Sequence, residues 1–401
     1  MISVKGAIAT IEAALTPVSV ETIPISDAFG RVLAEDLVAQ REQPALAVSS
    51  MDGYAVRACD VASAPATLTL IGESRAGQGF DGTLSNGETV RIFTGAPLPK
   101  GADAVVMQEV VTAAAASATM EESVTEGQFV RPAGLDFQKG KTLLKAGIRL
   151  TPRAIGLAAA MNLPQLAVRR KPRIAILATG DELVMPGADL PPENSVNSNS
   201  FTLSALIRHF GGEPVDLGIA KDSRQSLLTL VAKAAEADLL VTTGGASVGD
   251  HDLVRSVLGE AGLHLDFWGV AARPGKPTLF GRLNDTPLLG LPGNPVTTVV
   301  GGLLFLRPAI AALLGLRETP PQPESARLTL AMAKNGPREA YLSAKSTHDE
   351  DGIRHVTPFS KQDSSMLAQT AVADCLILRL PQAAAAAAGD TVTILRLPSF
   401  A

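Results

Sequence analysis

The chain has 401 residues, of which 46% are hydrophobic and 19% are charged, and its formal net charge at pH 7 is -5. This length exceeds what one hydrophobic core usually supports, so we expect about two to four domains. The negative net charge argues against a broad nucleic-acid-binding surface. Cys59 and Cys375 are the only cysteines, which excludes a disulfide framework and a cysteine-based zinc site. With no signal peptide evident, the composition predicts a cytoplasmic protein.

The N-terminal part of the chain combines predicted helices with a β-rich insertion. Apolar residues recur at helical spacing from Val4 to Leu15, and Thr151-Pro152 is typical of a helix start. Between them, segments such as ATLTLIGES and ETVRIFTG are β-like and are bounded by turn residues. We therefore expect a discontinuous mixed or helical domain, residues 1–44 plus 139–172, interrupted by an inserted β domain, residues 45–138.

The next part alternates strands with helices. RIAILATG, PVDLGIAKD, DLLVTTGG and PLLGLPG are strand-like, and SFTLSALIRHFGG and RQSLLTLVAKAAEA are helix-like. This alternation predicts a three-layer α/β/α domain with a mainly parallel sheet over residues 173–318. The apolar run 296–306 is too short to span a bilayer, so it predicts a buried helix rather than a membrane segment.

A proline-marked linker precedes the last part of the chain. Short β-like runs such as RLTLAMA, EAYLSA and CLILRL follow it. They predict a separate β-barrel or sandwich domain over residues 319–401, and we favour the barrel. The complete expectation is an α/β multidomain protein.

The segment LLVTTGGASVGDHDL, residues 239–253, is the most informative local pattern. It predicts a strand, a glycine loop whose N–H groups can face a phosphate, and a helix start. Asp250 and Asp252 suit a magnesium ion, which prefers carboxylates together with phosphate oxygens. The plainer alternative is a Gly-Gly chain reversal followed by an aspartate cap.

Other polar residues also follow predicted strands. Because ligands of parallel sheets bind at the carboxyl ends of strands, these loops favour a binding site. Arg273 and Lys276 flank Pro274-Gly275 and suit an oxyanion or a phosphate, with solvated loop charges as the alternative. Asp52 in the inserted β domain is either a ligand for metal or substrate or part of an Asp-Gly turn. Since neither a Ser-His-Asp order nor a Walker-type lysine loop is present, the residues favour electrostatic chemistry on phosphates with a metal.

A set of motifs in fixed order resembles a known family. SSMDGYAV, FTGAPLPKGADAVVMQE, RPAGLDFQKG, ATGDEL, NSN, TTGGASVGDHD, ARPGKPTLFG and LPGNPV occur in this sequence from the N-terminal part onward. Together they resemble the molybdopterin molybdenumtransferases, the family that includes the E domain of gephyrin. The resemblance implies that molybdate is inserted into the dithiolene of adenylated molybdopterin with Mg²⁺, releasing AMP and molybdenum cofactor.

The resemblance also implies an assembly and partners. It implies a homodimer whose cleft is built from both subunits. Molybdopterin adenylyltransferase and molybdoenzyme maturation proteins are candidate partners, whereas nucleic acid and membranes are not expected.

The resemblance assigns roles to residues at matching motif positions. The implied catalytic residues are Asp52, Thr94, Asp136, Glu182, Asp222, Asp252 and Lys276. The implied metal ligands are Glu182, Asp222 and Asp252. The implied ligand-binding residues are Gly244, Gly245, Ser247, Arg273, Lys276, Pro292, Gly293, Asn294, Arg338 and Ser364, with Arg338 and Ser364 on the molybdate side.

The chain departs from the family pattern at several of these motifs. Arg273 stands where the family often has lysine, and a guanidinium serves an oxyanion equally well. The run 362–365, Gln-Asp-Ser-Ser, replaces a more glycine-rich turn. The loop PALAVSS is less polar than usual, and LPGNPVTT has threonines where smaller residues are common.

Two other functions compete with the transferase. A scaffold like gephyrin's E domain would not need Asp52, Asp222, Asp252 and Lys276 together. An enzyme that only adenylates molybdopterin would share the TTGG-type α/β domain, but it would not need the domains on either side.

Overall fold

The computed structural model describes residues 1–245, 253–316 and 323–398. Contacts along the chain divide it into two compact units. The first unit comprises Met1–Glu35, Gly147–Thr151 and Gln165–Ala401. The second unit comprises Asp36–Ala146 and Pro152–Pro164.

The strands are short, and most belong to three larger sheets. In chain order they are β1 (Val20–Pro24), β2 (Leu37–Val38), β3 (Val48–Ser49), β4 (Gly53–Val56), β5 (Ala66–Ser74), β6 (Glu88–Ile92), β7 (Ala104–Met107), β8 (Val111–Ala113), β9 (Ser117–Met120), β10 (Val130–Arg131), β11 (Thr142–Leu144), β12 (Gln165–Arg169), β13 (Arg173–Thr179), β14 (Leu183–Val184), β15 (Ser195–Val196), β16 (Glu213–Ala220), β17 (Leu239–Thr243), β18 (Leu263–Trp268), β19 (Ala272–Arg273), β20 (Leu279–Leu283), β21 (Thr286–Leu291), β22 (Glu324–Leu328), β23 (Glu339–His348), β24 (Arg354–Pro358), β25 (Cys375–Arg379) and β26 (Thr391–Arg396).

The helices lie mostly in the first unit. They are α1 (Val4–Ala14), α2 (Pro152–Ala160), α3 (Asn199–Phe210), α4 (Arg224–Val231), α5 (Leu253–Glu260), α6 (Pro295–Gly301), α7 (Arg307–Leu313) and α8 (Leu367–Val372), with α2 belonging to the second unit. The predicted helix from Val4 is confirmed, and Ser3 caps it by accepting a hydrogen bond from the Gly6 N–H.

The main sheet of the first unit has the strand order β16-β13-β17-β21-β20-β18. Its pairings from β16 to β21 are parallel, whereas β20 pairs antiparallel with both β21 and β18. The predicted mainly parallel sheet is therefore confirmed. Side chains alternate between two faces, because Ile174 and Ile176 belong to one hydrophobic core while Ala175 and Leu177 belong to another.

The last sheet of the first unit closes on itself. Its strands run in the order β19-β23-β24-β22-β26-β25, and a direct β23–β25 pairing closes the last five of them into a barrel. This confirms the predicted C-terminal barrel. Ala340 and Leu342 face the barrel core, whereas Tyr341 and Leu376 join the core on one face of the α/β sheet.

A continuous helical stretch, Pro295–Leu313, packs in the core of the first unit. It consists of α6, a π-helical turn over Gly302–Leu306, and α7. The stretch is long and apolar enough to cross a membrane, but 67% of its most apolar 18-residue segment is buried inside the protein. Phe305 and Leu306 are buried against the sheet and α1. The predicted buried helix is confirmed.

The second unit is built around a sheet in the order β7-β4-β6-β5-β9-β8. Its buried side chains form two clusters, one around Tyr54 and Met120 and the other around Val90 and Ile92. Strand β4 lies between β6 and β7, so the residues just before β4 and just after β6 and β7 lie at the same end of the sheet.

The two units divide the predicted discontinuous domain, because residues 1–35 fall in the first and residues 36–44 in the second. The predicted domain boundaries at 44, 138, 172 and 318 stay predictions.

Candidate functional site

The carboxyl ends of four parallel strands meet at one edge of the main sheet. β13 ends at Thr179, β16 at Ala220, β17 at Thr243 and β21 at Leu291, and neighbouring ends are in register. The polar loops that follow these strands therefore share one edge, as the sequence predicts. The loops are 180–182, 221–222, 244–245 and 292–294.

Two of these loops touch through glycine backbone. A Cβ added at Gly244 would lie 2.4 Å from the Thr179 carbonyl oxygen, and one at Gly293 would lie 3.2 Å from the Gly244 Cα. Gly244 also has a φ of 91°, which favours glycine. The Gly244 N–H donates to the Leu291 carbonyl oxygen at 3.2 Å. The close approach of the strand ends therefore requires glycine at position 244 and leaves little room for a side chain at position 293.

Asn199, the first residue of α3, connects the same loops. Its Nδ2 donates to Thr243 Oγ1 at 2.9 Å and to the Gly293 carbonyl oxygen at 2.7 Å. Its Oδ1 and the Thr179 and Thr242 hydroxyls are buried without a hydrogen-bond partner among the described residues. Buried polar atoms of this kind can form hydrogen bonds with a polar ligand. The resemblance included the motif NSN but gave Asn199 no role.

The predicted acidic residues of the first unit lie at the neighbouring strand ends. Glu182 folds back over the end of β13, since a Cβ at Gly180 would lie 2.4 Å from Glu182 Oε2. The Asp222 N–H donates to Asp181 Oδ1 at 3.1 Å, and Lys221 Nζ donates to the Asp181 carbonyl oxygen at 3.2 Å. The loops that carry Glu182 and Asp222 are therefore in direct contact.

A cavity of about 480 Å³ lies between the sheet-edge loops and the C-terminal barrel, within the first unit. Four cationic side chains contribute to its lining: Arg273, Lys276, Arg338 and Lys361. The structure brings together six of the predicted ligand-binding residues around it: Arg273, Lys276, Pro292, Asn294, Arg338 and Ser364. Arg338 is held by a hydrogen bond from its Nη1 to the Ala272 carbonyl oxygen at 3.2 Å.

The barrel side of the cavity is a tightly bonded loop. Gln362 Nε2 donates to the carbonyl oxygens of Ser343 and Phe359, and its Oε1 accepts from the Ser343 N–H. The Val296 N–H donates to the Ser364 carbonyl oxygen at 3.0 Å, which ties this loop to the start of α6. Sequence reasoning missed Lys361, Gln362 and Ser343 as lining residues, because their position depends on barrel closure.

In the second unit the structure joins two of the predicted residues. Asp52 Oδ1 accepts from the Thr94 N–H at 2.8 Å and from Thr94 Oγ1 at 2.9 Å. These hydrogen bonds, with a smaller contribution from the nearby Arg91 charge, lower the pKa of Asp52 below its ordinary value. Asp52 is therefore an ionised carboxylate at neutral pH.

The Arg91 guanidinium braces the same end of that sheet. It lies 4.9 Å from the centre of the Tyr54 ring and 5.0 Å from that of Phe93. It also donates to the Gly53 carbonyl oxygen at 3.1 Å and to the Gln108 side chain. Arg91 was another residue that sequence reasoning missed.

The remaining predicted residues are not joined to these groups. Asp136 is exposed, its N–H donates to the Gln43 carbonyl oxygen, and no hydrogen bond within the described ranges connects it to Asp52 or Thr94. Ser247 and Asp252, like Asp250, lie outside the described residues. Within residues 1–245, 253–316 and 323–398, no group of three or more His, Cys, Asp or Glu is arranged to hold a metal ion.

Comparison with known protein families shows which family the chain matches. Residues 2–162 match the MoeA N-terminal region (domain I and II), residues 175–312 match the probable molybdopterin binding domain, and residues 325–397 match the MoeA C-terminal region (domain IV). The chain belongs to the molybdopterin molybdenumtransferase family. Family membership makes it a transferase of molybdenum cofactor biosynthesis.

Individual members of the molybdopterin molybdenumtransferase family are similar over most of the chain. The molybdopterin molybdenumtransferase of Haemophilus influenzae is 34% identical, covering 94% of both chains. That of Nostoc sp. is 38% identical, covering 83% of this chain and 78% of the relative. A crystal structure of the molybdopterin biosynthesis moeA protein from Pyrococcus horikoshii superposes with a TM-score of 0.87 at 31% identity, with all of both chains covered.

Proposed function

We propose that the chain inserts molybdate into the dithiolene of adenylated molybdopterin and releases AMP and molybdenum cofactor. The observation that carries this proposal is the cavity lined by Arg273, Lys276, Arg338 and Lys361. Molybdate is a tetrahedral oxyanion, and clustered guanidinium and ammonium groups bind such anions through charge-assisted hydrogen bonds.

Different residues of the chain bind the two substrates, molybdate and adenylated molybdopterin. Arg338 and Ser364 take the molybdate side of the cavity, with Arg273 and Lys276 on the opposite loop. The closely spaced backbone of Gly244, Gly245 and Gly293 accepts the phosphates, because an anion can approach backbone N–H groups where no Cβ intervenes. The Gly244 N–H itself is already donated to the Leu291 carbonyl oxygen, so Gly244 contributes by its lack of a side chain. Asn199 keeps these loops at a fixed spacing. The predicted roles of Pro292 and Asn294 belong to the same surface, and the predicted role of Ser247 rests on the resemblance alone.

Asp52 supplies an oriented carboxylate in the second unit. Thr94 occupies one of its oxygens with two hydrogen bonds, so the other oxygen is available to accept a hydrogen bond from substrate. The predicted catalytic role of Asp136 rests on the resemblance alone.

Magnesium fits the donor chemistry of the sheet edge. Glu182 and Asp222 are carboxylates on loops in direct contact, and Mg²⁺ binds through one or two carboxylates together with substrate phosphates and water. Asp252 completes the predicted ligand set. When bound, the ion neutralises phosphate charge. We expect EDTA to abolish AMP release and added Mg²⁺ to restore it, as measured by chromatography of AMP.

We further propose a cytoplasmic homodimer, with molybdopterin adenylyltransferase as the source of the adenylated substrate and molybdoenzyme maturation proteins as recipients of the product. The family resemblance supports the assembly. Sedimentation equilibrium tests it, because a chain that remains at the monomer mass of 41.5 kDa over a wide concentration range contradicts the dimer.

The decisive experiment measures AMP release from adenylated molybdopterin with Mg²⁺, with and without molybdate. We expect molybdate to accelerate release by the wild-type chain, and Arg338→Ala to lower kcat/KM for molybdate by about tenfold or more, because a charge-assisted contact is lost. Arg338→Lys retains the charge without the planar fork, so we expect an intermediate loss.

Arg327→Ala is the matched control, since Arg327 is exposed on the same barrel but does not line the cavity. We expect it to behave like the wild-type chain. AMP release that is independent of both molybdate and Arg338 would rule out the proposed reaction.

A further inference from the structure

The cavity contains a carboxylate among its cations. Asp363 is the one acidic side chain that lines it within the described part of the chain, facing the same space as Arg273, Lys276, Arg338 and Lys361. An ionised carboxylate can accept hydrogen bonds but cannot donate them, and its charge repels a bound anion. Nothing in the transferase reaction as proposed above requires an acid at this position.

The position of Asp363 is fixed by its own loop. Its Oδ1 accepts from the Ser365 N–H at 2.9 Å and from Ser365 Oγ at 2.6 Å. The neighbouring Gln362 is bonded to Ser343, and Ser364 is bonded to Val296. The carboxylate therefore belongs to a hydrogen-bonded cavity wall.

The charge state of Asp363 is also fixed. The hydrogen bonds from the Ser365 hydroxyl and N–H lower the pKa of Asp363 below its ordinary value. The group is consequently ionised throughout the neutral range. One oxygen is occupied by Ser365, which leaves Oδ2 as an acceptor.

We propose that Asp363 determines the oxyanion specificity of the cavity by disfavouring fully ionised tetraoxo dianions relative to oxyanions that carry a hydroxyl hydrogen. This inference rests on the proposed function in taking the cavity as the oxyanion site. A ligand hydroxyl can donate to Oδ2, which offsets the repulsion. Molybdate and sulfate at neutral pH have no such hydrogen, so they meet only the repulsion.

The consequence for the reaction is loose retention of molybdate. Four cations without a counter-charge would hold a dianion firmly, whereas a carboxylate in the same wall lowers that affinity and eases transfer to the dithiolene. Because Asp363 is exposed to solvent, screening limits the effect, and we expect about a two- to tenfold change in Kd on neutralising it.

The test compares four chains, the fourth being Arg338→Ala, by isothermal titration calorimetry with molybdate, sulfate and inorganic phosphate at neutral pH and low ionic strength. The wild-type chain is compared with Asp363→Asn, in which the amide oxygen can still accept from Ser365. Glu350→Gln is the control, since it removes a negative charge from an exposed barrel residue outside the cavity. Circular dichroism melting checks that each variant is folded.

For Asp363→Asn we expect tighter binding of molybdate and sulfate, a smaller gain or a loss for phosphate, and a difference from wild type that shrinks as salt is added. The control should match the wild-type chain. If the wild-type chain binds the anions but Asp363→Asn has the same ratio of molybdate affinity to phosphate affinity as the wild type, the proposed role of Asp363 is wrong, while the cavity remains the oxyanion site. If Arg338→Ala leaves molybdate binding unchanged, or the wild-type chain binds none of the three anions, the oxyanion assignment of the cavity falls with it.

Discussion

At the scale of single residues, function depends on which polar atoms are already occupied. Thr94 uses both its N–H and its hydroxyl to hold one oxygen of Asp52. The sequence predicted roles for both residues, yet their pairing joins positions 42 residues apart. Only the adjacency of the start of β4 to the end of β6 brings them together.

The Thr94–Asp52 pair predicts a pH-dependent effect of Thr94→Val. The pKa of Asp52 is lower in the folded chain than its ordinary value of 3.8, so its contribution to stability is present above that value and is lost as pH falls through the folded-state pKa. Thr94→Val removes the hydroxyl bond and raises this pKa toward the ordinary value. We expect the urea midpoint to fall at neutral pH, and the difference from wild type to shrink as the pH falls below 3.8 toward the lowered folded-state pKa.

Thr67→Val is the control for this measurement, because Thr67 bonds to Thr119 and, among the residues that the structure describes, to no acid. Its effect on the midpoint should not vary between pH 7 and pH 3. A Thr94→Val effect that is equally constant over this range would contradict the role of Thr94 in holding the Asp52 charge.

We expect the thiols of the two cysteines to differ in their reactivity toward an alkylating reagent. Cys375 is fully buried, and burial together with its hydrogen bond to Asp374 raises the pKa of its thiol to about 12. Cys59 is exposed. Because the thiolate is the reactive form, iodoacetamide should label Cys59 in the native chain and Cys375 only after denaturation, as read by peptide mass spectrometry. Native labelling of both at equal rates would contradict the burial of Cys375.

At the scale of elements, the site depends on how loops at the ends of strands are held together. α3 begins at Asn199, whose amide reaches both the end of β17 and the loop after β21. The alternation of strand and helix in the sequence predicted that these loops share an edge. The antiparallel strand β20, by contrast, was not predicted, because its run follows a loop directly and no helix separates it from β21.

Asn199→Ala should therefore loosen two loops at once. The variant leaves the Gly293 carbonyl oxygen and Thr243 Oγ1 without that donor, so we expect a loss of about 1–3 kcal/mol in the free energy of unfolding by urea. We also expect a larger fall in kcat/KM for adenylated molybdopterin than for molybdate.

Gln225→Ala serves as the comparison, because Gln225 is an exposed amide on α4 bonded to Thr229. Its effect on unfolding should stay within about 0.5 kcal/mol. If Asn199→Ala were no more destabilising than Gln225→Ala, the connecting role of Asn199 would be wrong.

At the scale of the whole molecule, hydrophobic cores organise each unit separately. In the first unit one core includes residues of α1, the main sheet, the helical stretch Pro295–Leu313 and the outer face of the barrel. Tyr341 and Leu376 of the barrel and Phe305 of the helical stretch are all buried in it. This shared core keeps the barrel wall of the cavity beside the sheet-edge loops.

Truncating that core should destabilise the first unit strongly. Phe305 is 1% exposed, so Phe305→Ala should cost about 3–5 kcal/mol in the free energy of unfolding by urea. Phe201, which is 52% exposed, provides the matched control, and Phe201→Ala should cost far less. Similar losses for the two variants would contradict the burial of Phe305.

The sequence by itself determined the family, because the family is encoded in motifs that occur in a fixed order. It also determined the alternating α/β pattern, the barrel and the polar loops at the strand ends, because the spacing of apolar residues along the chain encodes strands and helices. Only the tertiary structure decided that Lys361, Gln362 and Asp363 line the same cavity as Arg273 and Lys276. Residues about 90 positions apart carry no local signal of their proximity. Their meeting depends on closure of the barrel and on packing of its outer face against the core, which are non-local interactions.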